Sequence, residues 1–84
     1  MQIPGLSVFP NPFANELAIS FEDINGYAEI SVMDITGRTL QTLYAGEVMG
    51  GHFYHRFQVD VAPAVYLMKI EVGGRTGVVK MIKN

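Results

Sequence analysis

Residues 65–84 read VYLMKIEVGGRTGVVKMIKN, and two strands separated by a tight turn can be recognised in this stretch. Apolar residues occupy every second position of residues 66–72, which is typical of a strand with one buried face. Gly73 and Gly74 follow, and a Gly-Gly pair supplies the positive φ that a two-residue hairpin turn requires. Residues 75–83 then alternate again. The stretch predicts a C-terminal hairpin against which the other strands pack.

Five further strands precede this hairpin, each recognised by its apolar residues and bounded by turn-forming residues. They span residues 6–9, 16–21, 27–33, 38–44 and 53–59. No stretch has the 3.6-residue period of a helix. About seven short strands separated by turns predict an all-β fold, an antiparallel immunoglobulin-like β-sandwich.

Three irregular segments carry more specific expectations. Residues 45–51 are rich in glycine, and they are predicted to form the longest loop. Leu40 and Leu43 differ in parity, so a β-bulge is expected in their strand. Because prolines cannot donate to a sheet ladder, Pro10-Asn11-Pro12 is predicted to be a rigid turn or edge crossing, with Phe13 closing one end of the core.

The length and composition fit one small domain. With 84 residues, 49% of them hydrophobic, the chain is too apolar to be disordered. We predict that residues 1–5 are the end of a linker and that residues 6–84 form a single sandwich domain. The chain contains no cysteine, which excludes disulfides and thiolate metal sites. No apolar run is long enough to span a membrane, and the first residues do not resemble a secretory signal peptide.

The charges are distributed unevenly along the chain. Residues 1–64 hold two basic and seven acidic residues, a net charge of −5, whereas residues 65–84 hold four basic and one acidic, a net charge of +3. Lysines on a terminal strand can simply block edge-to-edge pairing. The alternative is a surface that a partner protein recognises. Nucleic acid is not an expected partner, because the overall charge is −2 and phosphate binding needs a dense basic face.

The residue pattern does not predict an enzyme. His52 and His55 would project to opposite faces of a strand, so they are not expected to share a metal ion. The carboxylates are scattered, and no serine lies in a nucleophile elbow. We therefore expect no catalytic residue, no cofactor and no metal. The tyrosines could line a sugar-binding face, although in so small a domain large rings are more often core residues: Tyr27, Tyr44, Tyr54 and Tyr66.

Three segments together resemble the type A C-terminal sorting domain of the type IX secretion system of Bacteroidetes. The family opens with V-Y-P-N-P, and residues 8–13 read VFPNPF. Residues 30–40, ISVMDITGRTL, are similar to its strand, turn and Gly-Arg continuation. Residues 65–70, VYLMKI, and residues 80–83, KMIK, are similar to its last two motifs. The family usually has glycine where this chain has Ala64, which would strain the backbone if a positive φ were required there.

The resemblance implies a folded export signal fused to the C-terminal side of a larger cargo protein. Such a domain crosses the periplasm, is recognised by the type IX translocon at the outer membrane, and is removed by a sortase-like protease. The cargo is then at the cell surface or extracellular. On this chain the cut is expected in or before residues 1–7, where backbone pairing is expected to be weakest. The signal-bearing residues implied by the family are Pro10, Asn11, Pro12, Gly37, Tyr66, Lys80 and Lys83.

Alternatives stay open at this point. Pro10-Asn11-Pro12 could serve only to maintain the fold. The whole domain could instead be an immunoglobulin-like adhesion or carbohydrate-binding module, or a structural spacer in a multidomain exported enzyme. A weak homodimer is also compatible with a terminal strand that has an open edge.

Overall fold

The computed structural model describes residues 2–84, which form seven β-strands in two antiparallel sheets. A three-stranded sheet has the order β1-β2-β5, and a four-stranded sheet has the order β4-β3-β6-β7. The sheets pack face to face, which confirms the predicted β-sandwich. The strands are β1 (Ser7–Phe9), β2 (Glu16–Glu22), β3 (Gly26–Met33), β4 (Thr39–Val48), β5 (His52–Gln58), β6 (Val65–Val72) and β7 (Arg75–Ile82).

The alternation of apolar residues determines which side of each strand faces the core. In β2 the inner positions are Leu17, Ile19 and Phe21, all essentially inaccessible to solvent. Phe21 stacks on Phe53 of β5, with ring centroids 4.4 Å apart. Phe13 is completely buried, as predicted for a residue that closes one end of the core. Fully buried residues of β3 and β6, in the other sheet, form the opposite side of the core: Ala28, Ile30, Val32, Met68 and Ile70.

The C-terminal hairpin has the predicted turn. Gly73 and Gly74 have φ values of 57° and 79°, and Val72 pairs with Arg75 on either side of them. A Cβ atom on Gly73 would lie 2.4 Å from the carbonyl oxygen of Asn25. Glycine is therefore required there both by its backbone conformation and by the close approach of the β2–β3 turn.

The predicted loop at residues 45–51 is wrong. β4 continues to Val48, where it pairs with Gly26, so the loop between β4 and β5 consists only of residues 49–51. The glycines suggested a loop, but pairing with a neighbouring strand outweighs the weak strand preference of a single glycine such as Gly46. The expected bulge is confirmed, because Leu40 and Leu43 are both skipped in the pairing of β4 with β3.

The N-terminal segment, residues 2–6, packs against the sandwich. Ile3 is buried in the core, and the carbonyl of Pro4 accepts a hydrogen bond from the N–H of Glu22 at 3.0 Å. The N–H of Leu6 donates to the carbonyl of Ile3 at 3.3 Å. The expectation that the backbone of residues 1–7 is weakly paired is therefore not met where the structure describes it, and Met1 lies outside the described residues. The linker assignment of residues 1–5 stays a prediction.

Candidate functional site

The side-chain amide of Asn11 binds the backbone of the last strand. Its Nδ2 donates to the carbonyl oxygen of Lys80 at 3.3 Å, and its Oδ1 accepts from the N–H of Ile82 at 3.0 Å. These groups belong to the side of β7 that faces away from β6, since β7 is the edge strand. The peptide bonds before Pro10 and Pro12 are both cis. The first sequence motif is thus hydrogen-bonded directly to the last.

The contact continues along the chain into Phe13. The N–H of Phe13 donates to the carbonyl of Ile82 at 2.9 Å, and the N–H of Asn84 donates to the carbonyl of Phe13 at 2.9 Å. Phe13 and Lys83 therefore form a short parallel bridge. Residues 11–13 cover the end of the β7 edge and anchor the last residues of the described chain.

Tyr66 supports the same end of β7 from the other side. It is buried, lies opposite Met81 in the ladder, and donates its hydroxyl hydrogen bond to the carbonyl of Ala62. The N–H of Lys83 donates to the carbonyl of Ala64 at 2.9 Å. Among residues 2–84, the non-glycine residue with positive φ is Asp23, so Ala64 has an ordinary backbone conformation. The strain considered for alanine at this position is absent.

The two lysines of the candidate site present their charges at the surface. Lys80 is exposed on the outer face of β7, and Lys83 is half-buried with its Nζ donating to the carbonyl of Asn84 at 3.3 Å. Neither forms a salt bridge with an aspartate or glutamate side chain in the described part of the chain. Their ammonium groups are available to an external partner.

Gly37 lies in the turn between β3 and β4, with a φ of 92°. Its N–H donates to the carbonyl of Asp34 at 3.0 Å. The hydroxyl of Thr36 and the N–H of Arg38 donate to the Asp34 carboxylate and lower the pKa of that carboxyl below its usual value. Because Met33 pairs with Leu67, this turn lies at the same end of the sheet as the C-terminal end of β7. It is separated from β7 by β6.

The structure thus brings together all but one of the residues that the sequence singled out. The cluster around the C-terminal half of β7 contains Pro10, Asn11, Pro12, Tyr66, Lys80 and Lys83, and Gly37 lies apart from it. Sequence reasoning missed the backbone groups of Phe13, Ile82 and Asn84 that complete the contact. Phe13 and Ile82 lie within two of the quoted motifs and Asn84 directly follows one, but the motifs do not show which backbone groups bond to each other.

The other candidate chemistries find little support in the arrangement of side chains. His52 lies 3.4 Å from a carboxylate oxygen of Glu22, whereas His55 stacks between Phe53 and Phe57, so the two imidazoles face opposite sides as expected. No group of three potential metal ligands occurs within residues 2–84. The described chain also contains no helix long and apolar enough to cross a membrane.

The tyrosines do not form one platform. Tyr66 is buried and Tyr44 is half-buried, while Tyr27 and Tyr54 are exposed on different sheets. Tyr54 and Phe9 flank a shallow cleft of about 160 Å³. The four tyrosines therefore do not line one exposed face of the described sandwich.

Comparison with known families identifies what these motifs belong to. Residues 7–84 match the family described as the secretion system C-terminal sorting domain, which covers nearly the whole chain and all three motifs. The chain belongs to this family. The sorting domain is therefore the C-terminal export signal of a type IX secretion cargo, which implies a fused cargo protein, secretion machinery and export to the cell surface or beyond. The family is not known as one of enzymes. No curated protein matches the sequence.

Removing the Asn11 side chain is expected to loosen the end of β7. Asn11→Ala deletes two hydrogen bonds to the strand edge, and at ~0.5–1.5 kcal/mol each the free energy of unfolding should fall by about 1–3 kcal/mol. Urea denaturation followed by circular dichroism measures this. The matched control is Asn15→Ala, at an exposed asparagine, which should change stability by no more than about 0.5 kcal/mol. Equal unfolding midpoints for the two variants would contradict the role of Asn11.

Proposed function

We propose that this sorting domain is recognised in its folded form, after passage through the periplasm, by the type IX translocon at the outer membrane. A sortase-like protease then removes it from the cargo. The single observation that supports this proposal is the contact of Asn11 with Lys80 and Ile82. Residues about 70 positions apart in sequence become one surface only when the domain is folded.

Within this proposal the site residues have two different roles. Both the N–H and the carbonyl oxygen of the Asn11 side-chain amide are hydrogen-bonded to the backbone of β7. Asn11 therefore positions the strand and does not contact a partner. Pro10 and Pro12 shape the crossing around it. Tyr66 holds β7 from the adjacent strand, and Gly37 permits the turn at the same end of the sheet. Lys80 and Lys83 are the residues that a partner contacts, because Lys80 is exposed and neither lysine pairs with an aspartate or glutamate side chain in the described chain.

The cleavage step is expected upstream of Ile3. A protease binds its substrate as an extended chain, and Ile3 and Pro4 are held by burial and by the hydrogen bond to Glu22. Cutting within the N-terminal segment would require that segment to detach from the core first. We therefore place the cut before the packed residues, in the connection to the cargo.

A reporter fusion tests the proposal. Residues 1–84 are fused behind an exported fluorescent protein in a host with the type IX apparatus and in an otherwise identical strain without it. We expect fluorescence at the cell surface or in the medium only when the apparatus is present. Secretion of the reporter in both strains would refute the sorting role. Failure of a correctly folded fusion to be secreted in either strain would refute it as well. Mass spectrometry of the exported reporter locates the cut.

A further inference from the structure

A groove of about 350 Å³ runs between the N-terminal segment and the last strand. Gln2, Ile3 and Leu6 form one wall, and Thr76, Gly77 and Val78 of β7 form the other. Leu6 and Ile3 approach so closely that a Cβ atom on Gly77 would lie 2.7 Å from Leu6 Cδ2. The absence of a side chain at Gly77 therefore lets the N-terminal segment pack beneath the strand, so that β7 itself borders the groove.

The backbone of β7 offers unpaired hydrogen-bonding groups to this groove. In an antiparallel sheet, successive residues direct their N–H and C=O groups to opposite sides of the strand. Lys80 and Ile82 bond outward to Asn11, so by alternation the groups of Thr76 and Val78 also point outward. Residues 11–13 cover only the C-terminal end of the edge, and within residues 2–84 no backbone group bonds to Thr76 or Val78 from outside the ladder.

β4 forms the opposite edge of the four-stranded sheet, and its pairing is less regular than that of β7. β4 contains the two bulges at Leu40 and Leu43, which interrupt its pairing geometry. β7 pairs with β6 without a register shift from Arg75 to Ile82. Bulges discourage the addition of another strand, whereas a regular, uncovered edge permits it.

The charges at the groove indicate what kind of strand would fit. Arg75 lies at one end, with its Nη1 donating to the carbonyl of Gln2 at 3.2 Å, and Lys80 lies beyond the other end. No acidic residue lines the groove, and neither cation forms an ion pair with a described carboxylate. Ile3, Leu6 and Val78 supply apolar walls. The complement is an extended segment with apolar side chains in its middle and acidic residues at its ends.

We propose that an acidic, extended segment of a partner protein in the secretion machinery adds as a strand to β7 at Thr76 and Val78. This inference rests on the proposed sorting function and deepens it, because it names the docking position and the chemistry of the partner. Main-chain hydrogen bonds supply affinity, and the flanking cations select acidic sequences. The contact lies N-terminal to the stretch of β7 that Asn11 and Phe13 already cover.

A synthetic peptide of sequence Glu-Val-Thr-Ile-Thr-Glu is the binding probe, because glutamates five positions apart face opposite sides of a strand, as Arg75 and Lys80 do on β7. Bound to the 84-residue chain, it should protect the amides of Thr76 and Val78 from hydrogen exchange. The analogue with lysine at both ends should bind about tenfold more weakly or worse, and so should the acidic peptide N-methylated at alternate residues, because hydrogen bonds to β7 are lost. Unchanged exchange at Thr76 and Val78, or equal binding of the three peptides, would overturn the inference. If the amides of Thr76 and Val78 become more protected as the concentration of the domain rises in the absence of peptide, the edge of β7 pairs with a second copy of this chain, and the inference is overturned.

The variant Val78→Pro removes the outward N–H without breaking a bond to β6, and Val78→Thr is its control. Both substitutions change the apolar side chain that lines the groove, but only Val78→Pro also loses the N–H, so Val78→Pro should bind the acidic peptide about tenfold more weakly than Val78→Thr. In the reporter fusion, less of the Val78→Pro variant than of the Val78→Thr variant should be exported. Equal export of the two variants would refute the docking position while leaving the sorting function intact. Failure of the unaltered domain to direct export would refute the sorting function itself.

Discussion

Phe13→Ala should lower the free energy of unfolding by ~3–5 kcal/mol, the usual cost of truncating a buried phenylalanine. Phe13 is completely buried, and its backbone bonds to Ile82 and Asn84 at the end of β7. The cavity left by the ring would therefore lie directly beneath the candidate site. Small domains are stable by only ~5–15 kcal/mol, so a large part of the stability would be lost.

Thermal denaturation followed by circular dichroism measures this effect, and each kcal/mol should lower Tm by roughly 4–8 °C in a domain of this size. The control is Phe9→Ala on the same segment. The Phe9 ring is 42% exposed and contacts Tyr54 at a centroid distance of 6.4 Å, so its removal should cost on the order of 1 kcal/mol. Comparable destabilisation by the two variants would contradict the assignment of Phe13 to the core.

Deleting residues 81–84 should abolish export of the reporter, and the structure gives two reasons. The deletion removes the ammonium of Lys83, which is a proposed contact, but it also removes the fully buried Met81. Losing a buried methionine side chain alone costs ~2–5 kcal/mol. The hydrogen bonds from Asn84 to Phe13 and from Lys83 to Ala64 disappear as well. Retention of this truncation would therefore combine loss of fold with loss of signal.

The double variant Lys80→Gln with Lys83→Gln separates these effects. Both charges are at the surface, so stability should change by no more than about 0.5 kcal/mol per site, while export should fall if the translocon recognises the basic rim. Fluorescence in the periplasm and in the medium is compared for the truncation and the double variant, with urea denaturation of the purified domains. Normal secretion of the truncation would refute a C-terminal signal, and normal secretion of the folded double variant would exclude recognition of these charges.

Local patterns predicted the strands because strand identity depends mainly on which neighbouring residues are apolar. The alternation in β2 and β6 correctly identified the buried positions, and the parity of Leu40 and Leu43 correctly predicted a bulge in β4, where the pairing with β3 has two register shifts. The same local reasoning failed at Gly46, where pairing with β3 continues through a sequence that resembles a loop. The burial of Ile3 was not predicted either, because Pro4 and Gly5 beside it give no strand pattern.

The amino-acid sequence alone determined the sandwich, the C-terminal hairpin and membership of the sorting family, because period-2 alternation and short motifs are properties of contiguous residues. Only the tertiary structure decided that Asn11 bonds to Lys80 and Ile82 and that the edge of β7 stays open at Thr76 and Val78. The physical reason is that backbone pairing at a sheet edge depends on which distant segment lies beside it. Nothing in the side-chain pattern of a strand records that neighbour.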